Sequence, residues 1–249
     1  MRASISQIKL FKACRRAYYF KYVEKLESTE RADALVTGTN YHSIVEDINN
    51  NGDDAEIPHT KEGAMATAYR KYIYPNFKVR AAEEWFEYNL TARHTLIGRV
   101  DGLSEDGRLV EHKTTGMEIT EAYEYNLLWD EQLLAYMLAT GTRKVYYTIC
   151  RKPTIRQKKD ESDDEFFERM VAWYDTDTES KIRLLKLERS DEEVDAFAED
   201  LAKILDEMET ATNLYKNCGW CNVWGRRCEY SGICLNYNPE ETYIGFRKR

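Results

Sequence analysis

Long apolar runs are scarce in this sequence, and we expect neither a membrane-spanning helix nor a secretory signal. None of its 249 residues falls in an apolar run that approaches the length of a membrane-spanning helix. Residues 1–6 contain no apolar core of the kind that a secretory signal needs. We therefore expect a cytoplasmic protein.

The sequence also has no internal repeat, no low-complexity tract and no linker rich in proline or glycine, with only 4 prolines and 12 glycines. Its length allows one large domain or two small ones. The contents of 43% hydrophobic and 32% charged residues are typical of a soluble globular protein. We expect a single α/β domain over residues 1–249 with a central mixed sheet flanked by helices.

An excess of positive charge is missing as well, because the formal net charge is −8. This argues against indiscriminate binding of nucleic acid but leaves room for a local basic groove. Basic residues do cluster along the chain. The clusters are Lys9, Lys12, Arg15, Arg16 and Lys21; then Arg151, Lys152, Arg156, Lys158 and Lys159; and finally Arg226 and Arg227.

The six cysteines are unevenly placed. Cys14 stands alone near the start, Cys150 lies in a strand-like run, and the other four crowd the C-terminal tail: Cys218, Cys221, Cys228 and Cys234. In a cytosolic chain this pattern indicates ligation of a metal or a cluster rather than disulfides. Cys150 is most simply a small buried apolar residue.

A short hairpin carries the most informative charges. Residues 97–103 and 108–113 have strand-like patterns and are joined by Ser-Glu-Asp-Gly. Glu111 and Lys113 are two residues apart and so project from the same face, and Asp101 can reach them if the strands pair. Such a group suits a divalent metal and phosphodiester chemistry, although a solvated ion pair is the simpler interpretation of the tripeptide alone. A second Glu-x-Lys, at 179–181, has no such hairpin before it.

The pattern of the remaining chain predicts several helices and strands around this hairpin. A capping box at Ser4 and Gln7 opens a helix through about Tyr22. Further helices are predicted near 37–51, 61–74, 121–139, 161–174 and 191–210, and strands at 85–90 and 144–150. The tail from Tyr215 has the composition of a loop.

Four further motifs stand in a fixed order around the hairpin. They are Gly38-Thr39-Asn40-Tyr41-His42, Gln132-Leu133-Leu134-Ala135-Tyr136, the Cys14-Arg15-Arg16 segment that follows Ser4-Ile5-Ser6, and the segment from Cys228 to Cys234. Gln132 and Tyr136 are one helical turn apart. Together these motifs resemble the RecB/AddB-type branch of the PD-(D/E)xK nuclease superfamily, which includes CRISPR-associated and phage recombination exonucleases with an iron–sulfur cluster.

The resemblance implies a fold like that of restriction endonucleases and a role for each matching residue. It implies metal binding by His42, Asp101, Glu111 and His112, and a catalytic group made of Asp101, Glu111, Lys113, Gln132 and Tyr136. Asp101 is followed by glycine and not preceded by proline, so the dipeptide that names the superfamily is absent. Carboxylate oxygens suit Mg²⁺ or Mn²⁺, and the imidazole of His42 favours Mn²⁺ somewhat.

The resemblance also implies a [4Fe–4S] cluster that joins the two ends of the chain. Cys14, Cys228 and Cys234 match the family's pattern, and Cys221 is the expected fourth ligand, with Cys218 as its competitor. A zinc site made of Cys218, Cys221, Cys228 and Cys234 is the alternative. Residues 1–30 and 215–240 form the cluster region in this scheme, and residues 31–210 form the nuclease core.

These implications together give an expected activity. It is a Mg²⁺- or Mn²⁺-dependent DNA exonuclease that acts on single strands or duplex ends in recombination or repair, with a recombination or single-strand-annealing protein as a possible partner. A non-catalytic DNA-binding module and a site- or structure-specific endonuclease are the alternatives. The full set of His42, Asp101, Glu111 and Lys113 argues against the first.

Overall fold

A computed structural model describes residues 1–29, 33–223, 226–236, 243 and 245–248. These residues form an α/β protein with a mixed central sheet and helices, as the sequence predicts. They fall into two compact units. The core unit comprises Asp33–Phe86 and Gly98–Asp195, and the terminal unit comprises Met1–Ala32, Glu87–Ile97 and Ala196–Arg249. The predicted boundaries near residues 30 and 240 lie outside the described residues.

The strands are β1 (Arg2–Ser4), β2 (Leu26–Ser28), β3 (Val79–Asn89), β4 (Thr95–Ser104), β5 (Leu109–Thr115), β6 (Lys144–Arg151), β7 (Ile182–Glu188), β8 (Asn222–Val223), β9 (Arg226–Arg227) and β10 (Phe246–Lys248). The helices are α1 (Ile5–Ala13), α2 (Arg15–Tyr18), α3 (Asp33–Asn51), α4 (Lys61–Tyr72), α5 (Glu121–Leu127), α6 (Glu131–Thr140), α7 (Asp163–Trp173), α8 (Asp191–Thr210) and α9 (Ser231–Leu235). None of the described helices has the length and apolar character needed to cross a membrane.

In the core unit the sheet runs β4-β5-β6-β7, and β3 pairs with β4. The β4–β5 and β6–β7 pairs are antiparallel, whereas β5 and β6 are parallel. Alternate residues of β5 face opposite sides of the sheet. Val110 packs in an apolar cluster with residues of α3 and α4, such as Tyr41 and Tyr69, while Leu109 packs in another with residues of α6, such as Leu133 and Met137. Helices therefore cover both faces of β5.

In the terminal unit β1 pairs in parallel with the start of β4, and β2 pairs with β10. Ser4 caps α1 through the predicted capping box with Gln7. A small apolar cluster includes Cys14, Phe20 and Tyr230, whose hydroxyl donates to the carbonyl of Leu26 at 3.1 Å. This cluster brings residues from near the start of the chain beside residues of the C-terminal tail.

Two predicted helices are interrupted in the structure. The helix predicted through Tyr22 breaks at Cys14, where the backbone is extended, and continues as α2 and a turn of π-helix. The helix predicted over 121–139 is two helices, because Asp130 takes an extended backbone and its carboxylate caps the backbone N–H of Gln132 at 3.1 Å. The strand β7, which follows the 179–181 tripeptide directly, is not among the predicted strands.

Candidate active site

Asp101 lies where two paired strands separate. The β4–β5 ladder pairs Gly102 with Val110 and Leu103 with Leu109. At the next position, Asp101, a side-chain hydrogen bond takes the place of the backbone pairing. Oδ2 of Asp101 accepts from the backbone N–H of His112 at 2.8 Å. The side chain thereby satisfies a backbone donor that the diverging strand leaves without a partner and becomes fixed in position.

Glu111 and Lys113 project together from β5, as the hairpin pattern predicts. The Lys113 ammonium forms an ion pair with Oε1 of Glu111. Glu111 is only 1% exposed. Gln132 of α6 accepts from Lys113 at 3.0 Å and donates to Glu111 at 3.2 Å. The amide of Gln132 also donates to the hydroxyl of Tyr136 at 2.7 Å. The predicted pair one helical turn apart therefore holds the carboxylate and the ammonium.

His42 of α3 approaches the same carboxylate from a different element. Its Nδ1 lies 3.6 Å from Oδ2 of Asp101. Ligand atoms of His42, Asp101 and Glu83 all lie within 4.8 Å of one another, a spacing that one metal ion can bridge. The structure thus brings His42 and Asp101 together as the sequence predicts, and adds a residue of β3.

Glu83 is the site residue that the sequence analysis missed. Its φ of 56° is in the left-handed region, which side-chain-bearing residues seldom adopt. The carboxylate forms an ion pair with Arg99 of β4. Glu83 stands in a strand with other charged residues, and no local pattern separates it from a solvated glutamate. The left-handed backbone that places it beside Asp101 is a tertiary feature that periodicity does not show.

His112 contributes its main chain rather than its ring to this group. Its backbone N–H holds Asp101, and its backbone also lies within hydrogen-bonding reach of His42. The imidazole is buried, 2.7 Å from the Thr148 hydroxyl through Nδ1 and 5.2 Å from the Tyr69 ring centroid. Burial lowers the pKa of His112 to about 3, so the ring is neutral. Among the described residues, His112 is not part of the group of ligand atoms around Asp101, so its metal role stays a prediction.

Burial dominates the electrostatics of the two carboxyls. It raises the pKa of Asp101 and that of Glu111, and the charge of Asp101 raises the pKa of Glu111 further. Burial lowers the pKa of Lys113, but the charges of Glu111, Asp130 and Asp101 outweigh it and leave that pKa raised. The pKa of His42 is lowered, mainly by burial. The site therefore combines a neutral imidazole with carboxyls that need nearby positive charge to ionise.

These residues fit a divalent cation. Oε2 of Glu111 is buried without a hydrogen-bond partner among the described residues, as expected of an oxygen whose partner is an ion. His42, Glu83, Asp101 and Glu111 supply carboxylate oxygens and one imidazole nitrogen, a donor set that suits Mg²⁺ or Mn²⁺. When bound, such an ion polarises a phosphate and lowers the pKa of a bound water.

Four cysteines of the terminal unit line one pocket. They are Cys14, Cys221, Cys228 and Cys234, the four that the sequence analysis chose, whereas Cys218 is not among the lining residues. The backbone N–H of Asn217 donates to Sγ of Cys14 at 3.3 Å, and the backbone N–H of Cys228 donates to the carbonyl of Cys221 at 3.0 Å. The first bond ties the tail to Cys14 at the start of α2, and the second joins two segments of the tail.

The thiols of this pocket influence one another. Burial raises the pKa of Cys228 and of Cys234, and the neighbouring charges of Cys14 and Cys221 raise both further. A bound cationic group would reverse that repulsion. Cys150 lies apart from this set in β6 of the core unit, where it is buried against the hydroxyl of Tyr174 at 3.5 Å.

The family comparison agrees with the geometry of the core unit. Residues 2–235 match the model of the PD-(D/E)XK nuclease superfamily. The match covers nearly the whole chain. The chain therefore belongs to the PD-(D/E)XK nuclease superfamily.

Solved structures similar to this chain share little sequence with it. The crystal structure of SSO0001 has a TM-score of 0.42 and 13% identity, over 86% of this chain and 79% of that one. An alkaline exonuclease, LHK-Exo from Laribacter hongkongensis, has a TM-score of 0.39 and 12% identity, over 84% and 90% of the two chains. Its complex with dAMP has a TM-score of 0.41 and 14% identity, over 83% and 89%. No curated protein matches the sequence.

Proposed function

We propose that this protein is a Mg²⁺- or Mn²⁺-dependent deoxyribonuclease that removes nucleotides from single strands or duplex ends. The observation that carries the proposal is the convergence of His42, Glu83 and Asp101 within 4.8 Å of one another, beside Glu111 and Lys113 of the neighbouring strand. A set of buried carboxyls with one ammonium suits hydrolysis of a phosphodiester.

Each residue has a role that follows from its contacts. Asp101, Glu111, His42 and Glu83 hold the metal, with the His112 backbone beside them. Lys113 lies two residues from a ligand and neutralises charge that develops on the phosphate or orients the attacking water. Gln132 fixes the ammonium and the carboxylate at hydrogen-bonding distances of 3.0 and 3.2 Å, and Tyr136 fixes Gln132.

Basic residues in the segment that follows β6, the strand beside β5, offer contacts for the DNA backbone. β5 and β6 are parallel, and the backbone N–H of Lys152 donates to the carbonyl of Thr115, two residues beyond Lys113, at 2.7 Å. The segment that follows carries Arg156, Lys158 and Lys159, all exposed. Phosphates can be held there without sequence preference. A basic segment beside an acidic site lets a protein of net charge −8 bind DNA locally.

The cysteine pocket is proposed to hold a [4Fe–4S] cluster on Cys14, Cys221, Cys228 and Cys234. Support comes from the four thiols that line it. A zinc ion would need sulfur atoms about 3.8 Å apart. Among the described residues, the triads with ligand atoms within 4.8 Å of one another contain no cysteine. We propose a cluster rather than one zinc ion because Cys14 lines the pocket and Cys218 does not.

The alternatives are a non-catalytic DNA-binding module and a site- or structure-specific endonuclease. An intact set of metal ligands with a lysine disfavours the module. The motif set resembles recombination exonucleases, which places exonuclease before endonuclease and suggests recombination or repair, with a recombination or single-strand-annealing protein as partner. These finer assignments rest on that resemblance.

The deciding experiment is a digestion time course with oligonucleotides labelled at the 5′ or the 3′ end, in Mg²⁺ or Mn²⁺. A closed circular single strand serves as the endonuclease substrate, and Asp101→Asn serves as the inactive control. Stepwise shortening of linear DNA with the circle left intact supports an exonuclease. Cleavage of the circle supports an endonuclease, and DNA binding without cleavage of any substrate supports the module.

A further inference from the structure

Two exposed tryptophans stand beside the active site without an assigned role. The residue Trp85 of β3 is 75% exposed, and Trp129 is 69% exposed. An exposed ring of this size forgoes the free energy that burial of its apolar surface would supply. Both residues belong to the core unit, which also contains the catalytic carboxyls. A function that uses an open ring face would explain their exposure.

Trp129 lies next to the residues that hold the catalytic lysine. It directly precedes Asp130, which caps the helix that carries Gln132. Gln132 is the third residue after Trp129, so their Cα atoms are at most roughly 11 Å apart. Gln132 itself contacts Lys113. A base on the Trp129 ring would therefore belong to a nucleotide close to the phosphate at Lys113.

Trp129 is part of a small exposed platform together with Tyr125 and Leu128. The Tyr125 and Trp129 ring centroids are 6.4 Å apart, with the ring planes 71° from parallel. Tyr125 is 59% exposed and Leu128 is 44% exposed. The guanidinium of Arg189 donates to the carbonyl of Leu128 at 3.2 Å. An open aromatic face with a cation at its edge matches the base and the phosphate of one nucleotide.

Trp85 has the same combination on the strand that carries Glu83. Only one residue separates Trp85 from Glu83, and the Arg99 guanidinium that pairs with Glu83 lies 5.8 Å from the Trp85 ring centroid. The next side chain, Phe86, packs at 5.7 Å against the ring of Tyr136. Since successive strand residues point to opposite faces, Trp85 projects away from that packing. It is held in place by the strand and left open on its outer side.

We propose that Trp85 and the Trp129 platform stack unpaired bases on the strand that enters the active site. This rests on the proposed nuclease function and names its substrate class, which is a single strand or a frayed end. Within a duplex each base face is covered by its neighbours, so an exposed side-chain ring can stack only on an unpaired or terminal base. Stacking tolerates any sequence, because every base has a flat face.

The test is a cycle that removes the ring from the protein and the base from the DNA. Binding of a labelled single-stranded oligonucleotide is measured by fluorescence anisotropy in EDTA, where no cleavage occurs. Trp129→Ala and Trp85→Ala are each compared with wild type on the intact strand and on strands with one abasic residue at successive positions. We expect each variant to lose about 5-fold to 100-fold in affinity for the intact strand.

The base-dependent part of the loss separates stacking from other effects. At one abasic position per ring, the variant and the wild type should bind equally, and Trp129→Phe and Trp85→Phe should recover most of the affinity. Binding to a blunt duplex should change less than 2-fold. Met117→Ala removes an apolar side chain that is 63% exposed in the same unit, and its effect on affinity should be the same on intact and abasic strands.

Several outcomes overturn the inference. Equal losses on intact and abasic strands at every position would show that the rings act through the fold. Affinity unchanged by either alanine variant would assign these surfaces to another occupant, such as a partner protein. Cleavage by the wild type is measured separately on the same strand in Mn²⁺. If the wild type cleaves the strand but its affinity does not depend on the bases, the stacking proposal is refuted and the nuclease proposal stands. If its affinity depends on the bases but it does not cleave, the nuclease proposal is refuted and the stacking proposal stands.

Discussion

Oδ2 of Asp101 accepts the backbone N–H of His112 at 2.8 Å, and this bond joins the two strands of the hairpin where their ladder ends. The bond fixes the carboxylate of Asp101 beside His112, the residue that follows Glu111. The same bond favours the ionised form of Asp101, whereas burial opposes it. The geometry of the site thus begins in the backbone of β5 and does not depend on side chains alone.

We expect Asp101→Asn and Glu111→Gln each to reduce cleavage on the order of 1000-fold. Both substitutions remove a charged ligand but keep the shape, and Asn can still accept from the backbone N–H of His112, so that donor keeps its partner. Initial rates in Mn²⁺ measure the effect. Circular dichroism and DNA binding in EDTA should remain close to those of wild type.

Glu179→Ala is the matched control for these two substitutions. Glu179 belongs to the other Glu-x-Lys tripeptide, in an exposed 3₁₀ turn. Its removal should leave the rate within about 2-fold of wild type, as for most surface substitutions. Near-normal cleavage by Asp101→Asn or Glu111→Gln would show that the site is elsewhere.

Lys113→Met should slow single-turnover cleavage about 100-fold or more while Mn²⁺ affinity stays within a few fold. Methionine keeps the length of the side chain but donates neither charge nor a hydrogen bond, and the lysine is not a ligand. Rapid-mixing kinetics gives the rate, and isothermal titration with Mn²⁺ gives the affinity. Lost metal binding with cleavage preserved would contradict the assignment.

Much of this site could be predicted because its signals are local. A period of two places Glu111 and Lys113 on one face of a strand, and a spacing of four places Gln132 and Tyr136 on one face of a helix. The structure adds that Gln132 bridges the other two residues. Site residues whose positions follow from the regular period of a strand or a helix can therefore be predicted from the sequence.

The parts that escaped prediction depend on irregular backbone or on distant contacts. Glu83 reaches the site through a left-handed residue within a strand, and its sequence neighbours do not require that conformation. Sequence spacing favoured Cys221 over Cys218 but left both open, because the choice depends on which side chain faces a pocket shared with Cys14, about two hundred residues away in sequence. The helix α5 ends at Leu127 and Asp130 caps the start of α6, although the apolar spacing continues across the break.

Glu83 should show a conflict between stability and activity. Both Glu83→Gly and Glu83→Ala lose the carboxylate and should weaken Mn²⁺ binding and cleavage. Glycine should nevertheless be more stable than alanine by roughly 1 kcal/mol, because a left-handed backbone is costly for any residue with a Cβ. Urea unfolding measures the difference. In an ordinary strand the order is reversed.

Lys25 provides the matched control, since its φ is also 56° and its side chain is exposed. Lys25→Gly should again be more stable than Lys25→Ala, but both variants should cleave DNA at the wild-type rate. If alanine equals or exceeds glycine in stability at position 83, the left-handed assignment is wrong. If Mn²⁺ binding is unchanged without the Glu83 carboxylate, its role as a ligand is refuted.

The cysteine pocket makes the last prediction. Protein purified without oxygen should be brown, with broad visible absorbance that dithionite bleaches and close to four irons per chain. Serine at position 14, 221, 228 or 234 should lose iron and colour. Cys14→Ser should also lower the unfolding temperature, because the cluster would link a residue near the start of the chain to the tail and so constrain a very long loop.

Cys218→Ser and Cys150→Ser are the control variants, because each removes a thiol that is not an expected cluster ligand. Cys218 is exposed and belongs to the same tail, yet it does not line the pocket. Cys150 is buried in β6, and burial raises its pKa to about 12, which disfavours the thiolate that binds metal. Both serine variants should therefore keep the colour. A colourless protein with one zinc per chain, lost on Cys218→Ser and retained on Cys14→Ser, would replace the cluster with a zinc site confined to the tail. That result would leave the nuclease assignment intact, because the carboxyl site lies in the core unit and shares no residue with the pocket.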